Sequence, residues 1–247
     1  MSTVVDEKYY QVVPAGSLAK RVLSRARDRI YDDFIATMQP KPTDEILDVG
    51  VSDVVSDDAN VVERKYPYPK RITACGLGDA VEFKASYPKI RYVRIPPNQR
   101  LPFEDAAFEV ATSNAVLEHV GSRENQSLFV SELCRVARRV FISVPHRYFP
   151  VEHHTALPFV HYNESLFAAA CRATGKNEWS DPANLILMTG KRLFELAAPI
   201  GRTASVGYTG LRSGPFSSNL YLTFGACGRD WSRRQNHYAD WRELRRQ

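Results

Sequence analysis

The sequence predicts an α/β fold: a Rossmann-like doubly wound sheet of about seven strands, mostly parallel, with helices on both faces. Two observations carry this reading. Strand-length apolar runs alternate with helix-periodic segments along most of the 247 residues, the pattern of a parallel sheet with crossover helices. Several of those runs, Glu45 to Gly50 first among them, are apolar without alternation, as strands buried on both faces are. Right-handed crossovers then leave a doubly wound sandwich as the economical topology.

The elements follow in order. Leu18, Val22, Ala26, Ile30, Phe34 and Met38 recur at i+4 spacing and predict an amphipathic helix, closed by Pro40 and Pro42. Glu45 to Gly50 is the first strand. Arg71 to Cys75 reads as a strand, Asp79 to Ser86 as a helix, and Ile90 to Ile95 as a strand. Phe108 to Thr112 is a further strand and Arg123 to Ala137 a helix with Leu128, Leu133 and Val136 on its apolar side. Val140 to Val144 is a strand stopped by Pro145. Tyr148 to Tyr162 breaks the rhythm with His, Pro and aromatic residues and reads as an insertion above the sheet. Leu166 to Ala173 and Lys191 to Ala198 are helical; Thr203 to Tyr208 and Asn219 to Phe224 supply the last strands. The chain is one domain: an N-terminal helical cap at 1–43, a core at 44–145, a cap insertion at 146–164, the C-terminal half of the sheet at 165–228, and a basic tail helix at 229–247.

Composition narrows the classes. Hydrophobic residues make up 44% and charged residues 25%, which excludes a largely disordered chain. No apolar run approaches the roughly 20 residues that cross a bilayer, and Met1 to Tyr10 has no apolar leader core, so a cytoplasmic protein is expected. Cys75, Cys134, Cys171 and Cys227 form no C-x-x-C pair, and a zinc framework or disulfide scaffold is not expected. The net charge is +5, and much of the excess lies after Arg229. A general polyanion-binding surface is therefore excluded and nucleic acid is not an expected partner.

Ligands of an open parallel sheet bind beyond the carboxyl ends of the strands. After the first strand stand Asp48-Val49-Gly50-Val51-Ser52, where glycine lets backbone approach a ligand. After the fourth stand Ser113-Asn114-Ala115-Val116-Leu117-Glu118-His119, preceded by Leu101-Pro102-Phe103-Glu104-Asp105. Ile-Leu-Asp-Val-Gly at 46–50, Leu-Pro-Phe-Glu-Asp at 101–105, Phe108, and Val-Leu-Glu-His-Val at 116–120 occur in this order and spacing. Together they resemble the class I S-adenosylmethionine-dependent methyltransferases, specifically the type 11 group, from about Asp44 to Pro145.

The resemblance implies S-adenosyl-L-methionine as cofactor and assigns positions around it. Asp48, Gly50 and Ser52 match the first motif, whose loop wraps the methionine part. Gly76 and Leu77 follow the second strand, where the family usually has an acid for the ribose hydroxyls; Asp79 comes about three residues late and substitutes only if the turn folds back. Asn98, after the third strand, is the implied adenine contact, and Leu101 begins the stretch that flanks the adenine. Asn114 falls near the amino-acid end. Three departures stand out: Ser52 replaces a second glycine, the ribose acid is missing, and no acid lies between Ile95 and Leu101.

If the acceptor is a hydroxyl, a base is needed, and a neutral histidine suits that role. His154, then His146, then His161 are the candidates, all in or beside the insertion. His119 reads either as a base at the edge of the site or as a capping and packing residue. The spacing of Glu152, His154 and His161 matches no standard metal pattern, and no metal is expected. The segments N-A-V-L-E-H-V-G and F-P-V-E-H-H-T-A-L-P-F look like methyltransferases encoded among bacterial surface-polysaccharide genes, which implies a small-molecule or carbohydrate hydroxyl as acceptor. Trp231, Tyr238, Trp241 and Leu244 give the tail an apolar face among arginines, suited to peripheral membrane contact or to docking on the domain itself. Two alternatives stand beside O-methylation: a non-catalytic methyltransferase-like binding protein, favoured by the missing ribose acid, and an RNA methyltransferase using the tail. The oligomeric state is not legible.

Overall fold

The computed structural model describes residues 18–55 and 59–226. Seven strands form one sheet in the order β3-β2-β1-β4-β5-β7-β6. They are β1 (Ile46–Val49), β2 (Ile72–Gly76), β3 (Arg91–Arg94), β4 (Phe108–Asn114), β5 (Ala137–Pro145), β6 (Ala204–Ser213) and β7 (Phe216–Phe224). The first five pair in parallel, and β7 runs antiparallel to both β5 and β6. The expected doubly wound sheet is thus present, mostly parallel. Six helices accompany it: α1 (Leu18–Met38), α2 (Val61–Lys65), α3 (Val81–Ser86), α4 (Arg123–Val136), α5 (Glu164–Ala173) and α6 (Gly190–Ala197). Five of them were legible in the periodicity. The short α2 was not, because five residues hold little more than one helical turn and show no repeat.

The two apolar layers follow from the period-2 alternation of strand side chains. Ile46, Val110, Phe141 and Tyr221 point to one face and pack with Ile30, Phe34 and Met38 of α1, Val61 and Val62 of α2, and Phe83 of α3. Their neighbours Leu47, Ala111, Val140, Ile142 and Leu222 point to the other face, against Val130, Leu133 and Val136 of α4 and Leu193 and Leu196 of α6. A third, smaller cluster holds the insertion down: Phe167 and Cys171 of α5 with Trp179 and Leu185.

α1 was expected as a cap, yet it is a full member of the first layer. Phe34 and Met38 are among the most completely buried side chains, and the Phe34 ring meets Phe141 edge-on at 5.7 Å. Its end is fixed by chemistry as well as by Pro40. Gln39 takes a left-handed φ of 46°. The Arg139 guanidinium of β5 donates to the carbonyls of Met38 and Gln39 and pairs with Asp44. An arginine on the last carbonyls of a helix satisfies acceptors that the helix itself leaves open.

α4 starts where Ser122 Oγ accepts from the Asn125 amide at 3.1 Å, an N-cap. Its charged face then forms a clasp. Glu132 accepts from the Leu101 amide at 2.8 Å, while Arg135 donates to the carbonyls of Leu101 and Phe103 and to Asp105. The Leu-Pro-Phe-Glu-Asp stretch is thereby held onto α4, and Leu101 is presented toward the ligand end of the sheet.

The β6–β7 hairpin runs further than expected. β6 continues from Tyr208 to Ser213 and β7 begins at Phe216, with Gly214 at a left-handed φ of 58° in the turn. Those extra residues are mostly polar or glycine, and the isolated Leu211 and Phe216 make no alternating apolar run. The expected tail helix at 229–247, its membrane-facing aromatics, Cys227 and residues 1–17 lie outside the described residues. No helix among the described residues is long and apolar enough to cross a membrane.

Phe34 fills the seam between α1 and the sheet, so Phe34→Ala should cost about 3–5 kcal/mol. In a chain of this size that is a fall in melting temperature of roughly 10 °C. A loss under about 2 °C in a thermal scan would mean that α1 is not part of the cooperative core.

Candidate active site

The chain runs from β1 outward to β2 and β3, then returns to place β4 on the other side of β1. The reversal opens a crevice between the loops after β1 and β4, the place where such sheets bind ligands. A cleft of about 440 Å³ lies there, within the roughly 300–1,000 Å³ typical of small-molecule sites. Gly50, Val51 and Ser52 line it from β1, Gly76 and Leu77 from β2, and Asn114, Ala115 and Val116 from β4. Leu23, Ala26, Arg27 and Ile30 of α1 close one side.

Backbone makes the floor. Gly50 has φ of 103°, and a Cβ there would stand 2.1 Å from Val116 Cγ2. The Gly50 and Val51 amides both donate to the Cys75 carbonyl, at 2.8 and 3.1 Å, so the loop turns tightly over the end of β2. Asn60, just before α2, locks the far end of the loop: Ser52 N donates to its side-chain oxygen at 2.9 Å, and its amide nitrogen donates to Ser52 O at 2.7 Å.

Of the nine residues expected around a cofactor, seven border this cleft: Gly50, Ser52, Gly76, Leu77, Asn98, Leu101 and Asn114. Asn98 does so from a left-handed turn with φ of 52°. The other two do not. Asp48 lies on the α1–α2 face of β1, buried against Glu63 of α2. Asp79 does not fold back: Arg94 Nη1 donates to its carboxylate at 2.8 Å, while Arg94 Nε donates to the Leu77 carbonyl at 3.1 Å. No carboxylate therefore stands at the end of β2 among the described residues that line the cleft.

The Asp48–Glu63 pair is unusual. Both side chains are over nine-tenths buried, and two ionised carboxylates can only accept hydrogen bonds. Burial raises both pKa values, Asp48 well above the ordinary carboxylate range and the more so for facing Glu63. Neither Glu63 oxygen has a hydrogen-bond partner, and burial favours the pair's retaining a proton.

The histidines divide. His146 is buried against the Ser217 carbonyl, its Nδ1 at 3.1 Å, and burial lowers it to about 4. His161 is buried with Nε2 donating to the Phe149 carbonyl at 2.9 Å. Neither borders the cleft; both line a second, small cavity of about 10 Å³ next to it. His154 does border the cleft, and its partner there is His119, the two Nε2 atoms 3.1 Å apart.

Each ring is oriented from behind. His119 Nδ1 lies 2.7 Å from the Asn184 carbonyl, which can only accept, so that nitrogen carries the proton. His154 Nδ1 lies 2.8 Å from Glu152 Oε1. Burial works against an ionised Glu152, but the His154 ring, Thr155 and the His154 amide all donate to it and hold it down to about 2. Trp179 packs against both rings, with centroids 4.8 Å from His154 and 6.1 Å from His119. Burial lowers His119 to about 4, helped by the neighbouring His154. Beneath the pair lies Glu118, 1% exposed, with neither carboxylate oxygen hydrogen-bonded and one 3.9 Å from His119 Nε2. Burial raises it to about 7.

Sequence reasoning named His154 first and weighed His119 and Glu152 separately, without bringing the three together. Asn184 and Trp179 lie in a segment with no motif. Glu118 and His119 belong to the quoted motif, but their convergence with a residue 35 positions on depends on how the insertion folds back.

Residues 72–140 match the family model of the methyltransferase domain. A search of the curated proteins finds no match. Among solved structures, the chain is similar to magnesium protoporphyrin IX methyltransferase from Synechocystis PCC 6803 with bound SAH. The TM-score is 0.56 at 12% identity, over 88% of this chain and 91% of that one. It is also similar to a possible histamine N-methyltransferase from Thermotoga maritima, with TM-score 0.52 and 12% identity over 84% and 91% of the two chains. A SAM-dependent methyltransferase from Aquifex aeolicus gives TM-score 0.52 and 12% identity over 83% and 97%. The fold is the Rossmann-like methyltransferase fold.

The buried acid pair gives a pH test. Glu63 has a folded pKa above its unfolded value, so its contribution to stability is present below pH 4 and is lost as pH rises toward neutrality and beyond. Glu63→Gln should remove a few kcal/mol of that loss. Melting temperature recorded from pH 5 to 8 should fall less in the variant, with Glu118 supplying part of the remaining slope. Parallel curves would show that the pair retains no proton.

Proposed function

We propose that this chain is an S-adenosylmethionine-dependent methyltransferase that methylates an oxygen of a small-molecule or carbohydrate acceptor. The observation that carries the reading is the glycine-floored cleft at the β1–β4 reversal, with an imidazole pair at one end of it. The cofactor fits the cleft by volume and by its backbone cradle at Gly50 and Gly76, where a side chain would collide with Val116 or Tyr92.

The residues that would hold it follow from their places. The loop from Gly50 to Ser52 bears on the methionine part, Leu77 borders the ribose region, and Asn98 and Leu101 flank the adenine. Asn114 is close to the amino-acid end. Asp48 acts on the loop from inside the sheet rather than on the ligand. With Asp79 engaged by Arg94, ribose recognition falls to backbone groups around Gly76 and Leu77. Neutral hydrogen bonds are weaker than the charge-assisted ones a carboxylate would make, so micromolar rather than nanomolar affinity is expected. When bound, S-adenosylmethionine supplies a methyl group on a sulfonium, ready to leave as a neutral thioether. The protein's task is then chiefly to place the acceptor in line with that methyl.

His154 works on the acceptor's oxygen through Nε2, with His119 beside it. Glu152 fixes the tautomer that turns this nitrogen's lone pair toward the cleft. His146 and His161, expected as alternatives, are engaged by backbone carbonyls outside the cleft. They hold the cap in shape.

Two measurements test the reading. Calorimetric titration with S-adenosylmethionine and S-adenosylhomocysteine should show micromolar, one-to-one binding. Leu77→Trp alters a half-exposed side chain at the cleft wall and should weaken it at least tenfold without changing the melting temperature. A folded, cofactor-free protein that binds neither compound would move the chain to the non-catalytic class. Once an acceptor is found from nucleotide sugars and glycans, His154→Ala should lower kcat at least a hundredfold with cofactor affinity unchanged. Undiminished turnover would remove His154 from the chemistry.

A further inference from the structure

We propose that Glu118, His119 and His154 bind a divalent first-row transition-metal cation at the acceptor end of the cleft. The proposal stands on the geometry of these side chains and not on the methyl-transfer reading; with a cation bound, His154 Nε2 would be its ligand, and the acceptor's oxygen would meet the cation in place of the free imidazole.

Three observations meet at one point. Both imidazoles are anchored through Nδ1, one on the Asn184 carbonyl and one on the Glu152 carboxylate. Both therefore turn Nε2 toward the other, 3.1 Å apart. Either a proton on His154 bridges the two nitrogens, or, with both rings neutral, their two lone pairs converge on a cation. Two nitrogens bound at about 2.0–2.1 Å to one tetrahedral ion stand about 3.3 Å apart, close to the separation seen.

Glu118 is the second, independent observation. Its carboxylate is 1% exposed, and neither oxygen has a hydrogen-bond partner. A buried acid with no donor is expensive and calls for a counter-charge. Its oxygen and the two Nε2 atoms all lie within 4.8 Å of one another; two donors on one ion stand at most about 4.2 Å apart, so the widest gap would close by a fraction of an ångström on binding.

The surroundings are those of a metal site. Glu152 behind His154 is the carboxylate–histidine arrangement that orients metal-binding imidazoles, and Thr155 and backbone amides saturate its oxygens. Trp179 packs against both rings and limits their rotation. The donor set, two imidazoles and one carboxylate, suits zinc, manganese, cobalt or iron(II) better than magnesium, which prefers oxygen ligands. Three protein ligands leave coordination positions open, as catalytic rather than structural sites do. His119 and His154 border the main cleft, so an open position there is accessible to an acceptor's oxygen.

The test uses the full chain, freed of metal by a chelator and checked for fold by circular dichroism. Titration with Co²⁺ should give one equivalent per chain with visible d–d bands. Zn²⁺ should displace it, whereas Mg²⁺ in large excess should not. His154→Ala and Glu118→Gln should each weaken Co²⁺ binding at least tenfold, and Glu152→Gln roughly 10–100-fold. Glu118→Gln keeps the shape of the side chain, so a fold lost in the alanine variant leaves the measurement intact. No stoichiometric uptake by the folded chain, or uptake that none of these variants weakens, overturns the proposal. S-adenosylmethionine titration of the same metal-free sample reads the cofactor cleft separately. Cofactor binding without metal uptake sinks this inference alone, and metal uptake without cofactor binding sinks the other.

Discussion

Val116 rests where Gly50 has no side chain. That contact joins the loop after β1 to the loop after β4 across the reversal of the sheet, and the cleft exists because the two loops close on each other there. A methyl group on residue 50 would need the space of Val116 Cγ2 and would also disfavour the left-handed backbone that aims the Gly50 and Val51 amides at Cys75. Much else in the ligand end of the molecule serves to keep these two loops in place. Asn60 pins Ser52, and the Glu132–Arg135 clasp holds Leu101. The core does the rest, with α1 and α4 pressing the central strands from opposite faces.

Buried charge is managed in two ways on the two sides of the cleft. Inside the first layer, Asp48 and Glu63 face each other with no hydrogen bond to either Glu63 oxygen, and burial raises the pKa of both, which favours a retained proton. In the insertion, Glu152 keeps its charge because His154, Thr155 and backbone amides surround it. The first solution gives a rigid support with little capacity to act on a ligand. The second gives a polarised imidazole at the wall of a cavity. The difference bears on the proposed function: the acid of the first glycine motif faces away from the cleft, whereas His154 of the insertion borders it.

Much of the fold was legible because it is written in local periodicity. The i+4 stripe of α1, the uninterrupted apolar strands and the stop signals at Gly50 and Pro145 each depend on near neighbours in the chain. α2 and the extension of the β6–β7 hairpin escaped because the first is short and the second, mostly polar or glycine, shows no alternation. Seven of the nine positions expected around a cofactor border the cleft, since strand order decides which residues come to the ligand end. Asp48 and Asp79 were misplaced for different reasons. The pleat sends Asp48 to the far side of β1, and an arginine on β3 holds Asp79 away. The histidines were the hardest to read. Whether His146, His154 or His161 meets the cleft depends on the path of a loop with no repeat, and His119 acquires its partner only when that loop folds back over the end of β4. Composition and spacing contain no information about that meeting.

Buried acids change the accounting of charge for the molecule as a whole. The formal value of +5 counts every acid as ionised. Burial raises the pKa values of Asp48, Glu63 and Glu118, so near neutral pH the folded chain holds on to protons that the unfolded chain releases. Folding is then coupled to proton uptake: in weakly buffered solution, refolding draws hydrogen ions from the solvent. The native protein is expected to migrate as a more basic species than its amino-acid content predicts.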